Sequence, residues 1–326
     1  MLLTVIIPAF NCEKTITRAI KSTGVYSSNT TEVIVVNNGS TDNTEQIIKE
    51  LADKNPNIIY AESASGVSNA RNKGIKLASG RWVTFLDADD YFLDNSEFEL
   101  EKYVSHLSDN TDIIFFNYSV NHSKIDLYSM TKDHQDINQL LSITLENPTK
   151  YLTVWGKLYH TKTLKKNNVQ FDTTLSYSED SEFLIRYLLS CKKFKFENRY
   201  LYNYCLSKNS TVRKYNPKMV DEYQKAIAKI KRDLASYSFL RKSYSIFVLM
   251  QLNLIMVHNV FIKPSNQMPQ LKSMCKKEYI VEAFNVLRLR DIFTPRLTPL
   301  VLCKCHLYSL ASFIYKLRVF QNKTKA

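Results

Sequence analysis

The sequence predicts an α/β fold of the doubly wound type, built on a sheet that is largely parallel. Three apolar, β-branched runs, at residues 3–10, 32–36 and 82–86, have the composition of buried strands. Helix-period segments separate them, and the second and third runs lead directly into polar residues. Strands that alternate with helices indicate a parallel sheet, because each helix carries the chain back to the starting edge.

The same alternation continues along the first third of the chain. The predicted elements are a strand at 3–10, a helix at about 13–22, a strand at 32–36, a helix at about 40–51, a strand at 58–61, a helix at about 66–78 and a strand at 82–86. A further strand is predicted at 113–116. Residues 151–211 mix both periodicities, and the chain beyond Pro217 has mostly helical periodicity.

The composition indicates a globular protein and argues against two kinds of nucleotide site. The 326 residues are 44% hydrophobic and 23% charged. The six glycines include no G-x-G pair, whereas the dinucleotide fingerprint and the Walker A loop need closely spaced glycines. No basic region precedes an apolar core at the start, so no signal peptide is expected. The six cysteines lack zinc-ligand spacing and are expected to be thiols in a reducing cytoplasm.

Positive charge is concentrated in the last third of the chain. Residues 212–326 contain 21 Lys and Arg against 6 Asp and Glu, a net charge of +15. The preceding 211 residues contain 23 against 25, a net charge of −2. Any anionic partner that this charge implies is therefore expected to bind the C-terminal third.

Three carboxylates follow the predicted strand at 82–86, in the order Asp87, Ala88, Asp89, Asp90. Ligands of parallel sheets bind beyond the carboxyl ends of the strands, where these residues fall. Side chains alternate along an extended segment, so Asp87 and Asp89 can project to one side. Clustered carboxylates are hard oxygen ligands suited to Mg²⁺ or Mn²⁺, and a substrate diphosphate can complete such a site. The alternative is a polar turn in which Asp90 caps a helix.

Four segments occur in a fixed order: residues 5–11 (VIIPAFN), 35–42 (VVNNGSTD), 66–74 (GVSNARNKG) and 87–90 (DADD). This set resembles the family 2 glycosyltransferases, a large inverting group with the GT-A fold, and in particular those that build bacterial surface polysaccharides. The resemblance covers residues 3–95 closely and continues more loosely to about residue 211. It implies an α/β GT-A fold, a doubly wound mixed sheet, followed by a mainly α-helical C-terminal extension.

The resemblance implies a base pocket at the ends of the first two strands. Pro8, Ala9 and Phe10 would line it, and Asn38 would accept a hydrogen bond from uracil. The usual Asp-Asp-Gly-Ser of the family is Asn-Asn-Gly-Ser at residues 37–40 here. An asparagine carbonyl can accept from uracil N3–H, but it is uncharged and brings an NH₂ donor. The base of the nucleotide therefore stays open at this point.

The resemblance also implies the residues around the diphosphate and the sugar. Ser68 and Arg71 would contact the nucleotide-sugar or hold its pocket. Asp87 and Ala88 would meet the ribose or the sugar, and Asp89, with Asp87, would ligate Mn²⁺ or Mg²⁺.

A second group of segments resembles the acceptor half of the bacterial enzymes. It comprises residues 155–159 (WGKLY), 171–172 (FD) and 177–183 (YSEDSEF). In the family a Glu-Asp pair before a helix supplies the catalytic base, which implies Asp180 first and Glu179 second. The base takes the proton of the acceptor hydroxyl as the new bond forms. The alternative is a helix N-terminus at which acidic residues complement the macrodipole.

The segment at 202–211 (YNYCLSKNST) resembles the aromatic strand and polar loop that follow the base. Lys208 or Ser210 would reach the diphosphate; the alternative is a surface loop. The Gln/Arg-x-x-Arg-Trp segment of processive relatives is absent, which predicts single transfers. His160 is interpreted as a structural histidine, with a third metal ligand as the alternative.

The C-terminal third has two segments of interest. Residues 243–263 are near the length of a membrane span but contain four polar side chains, so a buried helix is preferred to a span. Residues 299–320 combine apolar and basic positions, as in a helix at an anionic membrane surface. Self-association and an anionic polymer acceptor are the alternatives. Nucleic-acid binding is not expected, because no recognition motif accompanies the charge.

We therefore expect a GT-A catalytic domain over residues 1–211 and a basic helical region over 212–326. Within the first, residues 1–97 would bind the nucleotide-sugar and 98–211 the acceptor. The expected function is inverting, metal-dependent transfer of a hexose or N-acetylhexosamine, from a nucleotide-sugar such as a UDP-sugar to a glycan or lipid-linked acceptor. The expected place is the cytoplasm, or the inner face of the plasma membrane. A nucleotidyltransferase and a non-catalytic nucleotide-sugar-binding protein are the alternatives.

Overall fold

The computed structural model describes residues 1–93, 96–131, 136–206, 215–263 and 265–324. The chain divides into two compact units. Unit 1 comprises Met1–Gln139 and Thr153–Cys205, and unit 2 comprises Leu140–Leu152 and Leu206–Ala326. The domain boundary expected at residue 211 stays a prediction.

Unit 1 is built on one mixed sheet. In the described part of the chain its strands are β1 (Leu3–Ala9), β2 (Thr31–Asn37), β3 (Ile58–Glu62), β4 (Trp82–Phe85), β5 (Tyr91–Phe92), β6 (Ile113–Val120), β7 (Ser123–Ile125), β8 (Lys157–His160) and β9 (Phe194–Tyr204). Their order across the sheet is β3-β2-β1-β4-β8-β6-β9-β5, and β7 pairs with β6.

The first four strands form the parallel part of the sheet, as predicted. β1 lies between β2 and β4, and β2 also pairs with β3, all in parallel. Every residue of β1, β2 and β4 is buried, which explains why these runs are apolar without alternation. Parallel strands end at the same edge, so the residues that follow β1, β2 and β4 meet there.

The second part of the sheet is mixed. β8 is antiparallel to both β4 and β6, β6 is parallel to β9, and β9 is antiparallel to β5. The register of β6 against β9 shifts around Asn117, where Phe116 and Tyr118 lie on either side of an irregularity. The strand predicted at 113–116 is therefore longer than expected, because its pairing with β9 continues beyond the irregularity to Val120.

The α-helices of the described residues are α1 (Ile16–Lys21), α2 (Thr44–Lys54), α3 (Val67–Leu77), α4 (Ser96–Ser105), α5 (Tyr128–Thr131), α6 (Ile137–Glu146), α7 (Pro148–Tyr151), α8 (Thr161–Lys166), α9 (Glu179–Leu189), α10 (Met219–Asp233), α11 (Arg241–Ile255), α12 (Gln267–Cys275), α13 (Glu278–Val286), α14 (Leu289–Ile292), α15 (Thr298–Lys304) and α16 (Tyr308–Thr324). The prediction of a helical C-terminal region is confirmed.

One local expectation and one alternative are wrong. The helix predicted from residue 40 begins at Thr44, because Ser40 and Asp42 take part in turns: the Ser40 amide donates to Asn37 Oδ1, and Asp42 accepts from the amides of Glu13 and Thr44. The interpretation of Asp90 as a helix cap is also wrong, since the strand β5 follows it directly.

A helical segment of unit 2, Ser238–Val260, is long and apolar enough to cross a membrane by length and composition. Over an apolar stretch of 18 residues within it, the mean hydropathy is 1.3 and 78% of the stretch is buried inside the protein. Two of its polar side chains have partners within the unit: Asn253 accepts from the Tyr315 hydroxyl at 2.7 Å, and Asn259 donates to the carbonyl of Asn216. Burial with paired polar groups is the arrangement of a core helix, as preferred from the sequence.

Close packing at the start of β4 yields a stability prediction. A Cβ on Gly80 would lie 2.6 Å from the backbone nitrogen of Thr4, which belongs to the central strand β1 and cannot easily move. We expect Gly80→Ala to lower the free energy of unfolding by about 1–3 kcal/mol, the usual effect of overpacking. The urea midpoint measures it. Lys76→Ala, on the exposed side of α3, is the control; equal midpoints for the two variants would contradict the packing argument.

Candidate functional site

The candidate site lies at the edge where β1, β2 and β4 end. Two loops are tied together there: Asn11 Oδ1 accepts from the Thr41 amide at 2.8 Å, and the Asn38 amide donates to the carbonyl of Ala9 at 3.0 Å. Pro8 and Ala9 are buried at the end of β1, whereas Phe10 is exposed beyond it. The three residues predicted for a base pocket thus form a strand end with a projecting aromatic ring.

The two asparagines after β2 have different environments. Asn37 Oδ1 accepts from the Ser40 amide, so this side chain is used to build the turn. Asn38 is buried, and its Oδ1 has no hydrogen-bond partner among the described residues. Ser68, at the first turn of α3, is buried with its hydroxyl likewise unpartnered there. Buried polar atoms are normally satisfied, so both are candidates for contact with a ligand.

A tight turn carries the carboxylates after β4. The Asp90 amide donates to the Asp87 carbonyl at 3.0 Å, and this bond closes the turn around Ala88 and Asp89. Asp90 is completely buried and accepts from the Tyr202 hydroxyl at 2.5 Å and from the Cys205 amide at 2.7 Å. The Tyr202 oxygen also accepts from the Asp87 amide at 3.2 Å. Asp90 therefore holds the turn against β9 and does not face a ligand.

The turn concentrates negative charge. Burial and the neighbouring charge of Asp87 raise the pKa of Asp90 to about 8, and the same two causes raise the pKa of Asp89. Arg18 donates to the backbone carbonyl of Asp89 at 2.6 Å, so its contact there is with the peptide. A cation bound at the turn would favour the ionised carboxylates.

The carboxylate oxygens of this turn are suitable ligands for a hard divalent cation. Asp87 and Asp89 offer carboxylate oxygens, which Mg²⁺ and Mn²⁺ prefer, and their mutual repulsion is what a cation relieves. Among the described residues no three His, Cys, Asp or Glu side chains form a group that could hold a metal ion. Two protein carboxylates with the oxygens of a substrate diphosphate remain the arrangement that the turn suits.

Arg71, on α3, connects this turn to the candidate base. Its Nη2 lies 3.0 Å from Asp87 Oδ1, and its Nη1 lies 2.6 Å from Asp180 Oδ1 and 3.6 Å from Glu179 Oε1. Burial lowers the pKa of Arg71, but the charges of Asp180, Asp87 and Glu179 outweigh this effect and raise it. One guanidinium thus bridges the two halves of the site predicted from sequence.

An aromatic layer supports this guanidinium. Arg71 lies over the ring of Phe171, 5.2 Å from its centroid, and Phe171 stacks on Phe183 at 3.8 Å. The side-chain amide of Asn72 exchanges two hydrogen bonds with the backbone of Phe171, at 2.8 and 2.7 Å. The segment before α9 is therefore fixed to α3, and the cation is held by ring faces as well as by carboxylates.

The Glu-Asp pair begins α9, as predicted. Burial and the charge of Asp180 raise the pKa of Glu179 to about 8. Burial also raises the pKa of Asp180, whereas Arg71 opposes that shift. The adjacent Ser178 has φ of +61° and a buried hydroxyl with no partner among the described residues. The arrangement favours a proton on Glu179 and a negative charge on Asp180, the division of roles that paired carboxylates adopt.

Several residues at the site were not predicted. The Trp155 ring stacks on Tyr202 at 4.4 Å, with the ring planes 10° apart. Lys157 is buried, and its ammonium donates to the carbonyls of Thr153 and Trp155. The WGKLY segment was the available signal, but the stacking partner of Trp155, Tyr202, is distant in sequence and cannot be inferred from the segment.

The last three predicted residues are Lys208, Ser210 and His160. Lys208 and Ser210 fall outside the described residues. His160 is paired across the sheet with Trp82, at the start of β4, so it lies at the end of that strand opposite to Asp87. The alternative of His160 as a third metal ligand is therefore wrong. His160 is instead a buried residue packed edge-on against Trp82 at 5.1 Å.

The chain matches glycosyl transferase family 2 over residues 4–170, more than half of its length. It therefore belongs to this family, as the motifs indicated. Among curated relatives, glycosyltransferase GlyA of Streptococcus pneumoniae is 31% identical over 229 residues, which is 66% of this chain and 32% of that protein. The Escherichia coli UDP-Glc:alpha-D-GlcNAc-diphosphoundecaprenol beta-1,3-glucosyltransferase WfgD is 34% identical over 120 residues. That match covers 36% of this chain and 46% of WfgD.

The chain thus spans about a third of the length of GlyA and about half that of WfgD. Among solved structures, Staphylococcus aureus TarS 1–349 in complex with UDP-GlcNAc has a TM-score of 0.68 and 20% identity. The similarity covers 100% of this chain and 92% of that one. This likeness confirms the predicted GT-A fold.

The raised pKa of Glu179 predicts how stability changes with pH. Between its ordinary value of 4.5 and about 8, the folded protein holds a proton on Glu179 that the unfolded chain has lost. Stability from this group therefore falls as pH rises through that window. Glu179→Gln removes the dependence, so the variant should gain at least about 1 kcal/mol relative to the wild type between pH 5 and pH 9.

Urea unfolding at the two pH values measures the difference. Glu50→Gln, at an exposed position of α2, is the matched control. A Glu179→Gln variant whose stability follows the wild type at both pH values would show that Glu179 is ionised throughout.

Proposed function

We propose that this chain is an inverting glycosyltransferase that moves a hexose or N-acetylhexosamine from a UDP-sugar to an acceptor hydroxyl, in the synthesis of a bacterial surface glycan. The observation that carries the proposal is the bridge made by Arg71. It places Asp87, at the end of β4, and Asp180, at the start of α9, on one guanidinium at 3.0 and 2.6 Å. A donor-side carboxylate and a candidate base are thereby brought to one place.

The donor would bind beyond β1, β2 and β4. Asn38 Oδ1 is a buried acceptor that uracil N3–H would satisfy, and Ser68 offers a second unpartnered polar atom. Pro8, Ala9 and Phe10 would line the base, and Arg71, Asp87 and Ala88 would face the diphosphate and sugar. The similarity to a TarS structure that holds UDP-GlcNAc, and to WfgD, whose name specifies UDP-Glc, supports a uridine nucleotide.

In the proposed step the acceptor hydroxyl gives its proton to Asp180. The acceptor oxygen forms its bond to the sugar C1 from the face opposite the diphosphate, while the bond between C1 and the diphosphate oxygen breaks. The electron pair of that bond leaves on the diphosphate, so the configuration at C1 inverts. Arg71 keeps Asp180 ionised and oriented, and a proton on Glu179 limits the repulsion next to it.

A bound Mn²⁺ or Mg²⁺ would neutralise charge on the departing nucleoside diphosphate, and Asp89 and Asp87 are the residues that would hold it. Residues 1–97 would provide the donor side and residues 98–211 the acceptor side. The chain would make single transfers, because it lacks the segment of processive relatives. The remaining loop residues, Lys208 and Ser210, are proposed to contact the diphosphate.

The acceptor is proposed to be a glycan or a lipid-linked sugar at the inner face of the plasma membrane. The name of WfgD specifies a diphosphoundecaprenol-linked sugar as its acceptor, which supports a lipid-linked acceptor here. The reaction would then take place in the cytoplasm, with the protein bound at the membrane surface. The alternative to membrane attachment is that the basic residues 212–326 mediate self-association.

Two other functions fit the site less well. A nucleotidyltransferase needs a glycine-rich, Lys- or Arg-bearing loop after the first strand, where this chain has Asn11, Cys12 and Glu13. A protein that only binds nucleotide-sugars would have no use for a half-buried carboxylate pair such as Glu179 and Asp180, because withdrawing carboxylates from water is unfavourable.

The test of the function combines a donor panel with one variant. We expect one or more UDP-sugars to release UDP with the wild-type protein, and Asp180→Asn to lower kcat by at least about 10²-fold with little change in donor affinity. Released UDP measures turnover, and calorimetric titration measures donor binding. Asp53→Asn, a carboxylate-to-amide change at an exposed position of α2, is the control and should keep full activity. Loss of donor affinity without loss of kcat would make Asp180 a binding residue.

The metal site gives an independent prediction. Asp89→Ala should abolish UDP release and the UDP-dependent binding of Mn²⁺, because one of two protein carboxylates is lost. Asp53→Ala, at an exposed position of α2, should leave both unchanged. Equilibrium dialysis of Mn²⁺ with and without UDP measures binding. Full activity of the wild-type protein in excess EDTA would contradict metal dependence.

A further inference from the structure

The C-terminal helix α16 is apolar on two opposite faces. Its inner face is buried through Ala311, Tyr315 and Val319. Its outer face carries four large apolar side chains with exposed fractions of 55, 61, 44 and 65%: Leu310, Phe313, Leu317 and Phe320. Their spacing of three and four residues places them in one stripe along the helix. Scattered exposed apolar residues are common, but a continuous stripe on one helix marks an interaction surface.

A fifth exposed apolar residue lies near this helix. Phe293 is 81% exposed. Arg318 of α16 donates to the carbonyls of Pro295 and Arg296, at 2.6 and 3.0 Å, and so holds the segment just after Phe293 beside the helix. We refer to Phe293 and the four residues of the stripe as the α16 surface.

Positive charge is concentrated in the part of the chain that carries the α16 surface. Residues 288–326 contain eight Lys and Arg against a single acid, Asp291, a net charge of +7. That acid accepts from Lys242 at 2.8 Å, so its charge is already compensated. Arg288, Arg290 and Lys316 are exposed and extend the positive field to the solvent. An exposed apolar stripe flanked by cations is the composition of a helix that lies in a membrane interface.

The charge decides which partner fits. A second copy of this chain would bring another +7 against the same face, and like charges oppose that contact. A nucleic acid would meet the cations but leave five large apolar side chains in water. The surface of an anionic bilayer satisfies both, since phosphate headgroups attract the cations and the acyl boundary accepts the apolar side chains.

We propose that the α16 surface binds the protein reversibly to anionic lipid bilayers, with Phe313, Leu317 and Phe320 entering the interface. The apolar segment Ser238–Val260 is not needed for this attachment, because it is mostly buried inside the protein. The idea that attachment serves a lipid-linked acceptor rests on the proposed function, whereas the binding itself does not.

The experiment uses the full chain and sedimentation with vesicles. Vesicles of phosphatidylcholine mixed with phosphatidylglycerol should pellet the wild-type protein at low salt, and vesicles of phosphatidylcholine alone should not. High salt should release the protein, because screening weakens the attraction of the cations. The double variant Phe313→Ser/Leu317→Ser should lower partitioning onto the vesicles by at least about tenfold. Lys316→Glu should also lower partitioning, and its effect should be larger at low salt than at high salt.

The matched control is Phe239→Ser, which removes an exposed aromatic side chain elsewhere in unit 2. It should partition like the wild type. All of these positions are exposed, so thermal melting should be unchanged; Phe320→Glu, near the end of the helix, provides a second test if the double variant does not fold.

Three outcomes would overturn the proposal: a wild-type protein that ignores anionic vesicles, a double variant that binds as well as Phe239→Ser, or a dimer in free solution that the double variant abolishes. The last would assign the surface to a second copy. UDP release from a soluble UDP-sugar is measured in parallel and should be the same in every variant. Vesicle binding without UDP release in the wild type would contradict the proposed function and leave this inference intact.

Discussion

The guanidinium of Arg71 holds together three parts of unit 1 that are far apart in the chain. It pairs with Asp87, 16 residues away, and with Asp180, 109 residues away, and it does so from a buried helix. A buried cation needs compensation for its lost hydration, and the carboxylates of Asp87 and Asp180 and the face of Phe171 supply it. Removing Arg71 would leave these two carboxylates without their shared cation, so the positions of the turn, of α3 and of the start of α9 depend on one another.

At the turn after β4, negative charge is in excess despite this pairing. Arg71 contacts Asp87 there, whereas burial and the charge of Asp87 raise the pKa of Asp89 in spite of the opposing charge of Arg18. Asp90 does not contribute to this charge at the surface, because its buried carboxylate accepts hydrogen bonds from the Tyr202 hydroxyl and the Cys205 amide. The remaining negative charge faces outward at the end of β4. A ligand that brings a cation and a diphosphate together would be neutral overall where neither alone would be.

The sequence was sufficient to predict the elements that depend on local hydrophobic pattern. The buried runs of β1, β2 and β4 are apolar without alternation, and parallel topology then brings their ends to one edge. The start of α9 at Glu179 followed from the acidic pair. The sequence could not predict contacts that depend on tertiary packing. These are the ion pairs of Arg71, the stacking of Trp155 on Tyr202, and the hydrogen bond from Tyr202 that holds Asp90 in the interior. The late start of α2 has the same origin, since Asp42 caps turns that another loop imposes.

The WGKLY segment shows how residues of the second part of the sheet support the turn that ends β4. Lys157 is buried, with its ammonium at 2.6 Å from the Thr153 carbonyl, 3.1 Å from the Thr153 hydroxyl and 3.3 Å from the Trp155 carbonyl. Burial lowers its pKa to about 7, against the attraction of Asp180, yet three oxygens serve the three N–H bonds of the charged form. This fixes the backbone on both sides of Val154 and so the plane of Trp155, on which Tyr202 stacks. Since the Tyr202 hydroxyl contacts both Asp90 and the Asp87 amide, a lysine in the second half of the unit sets the turn that ends β4.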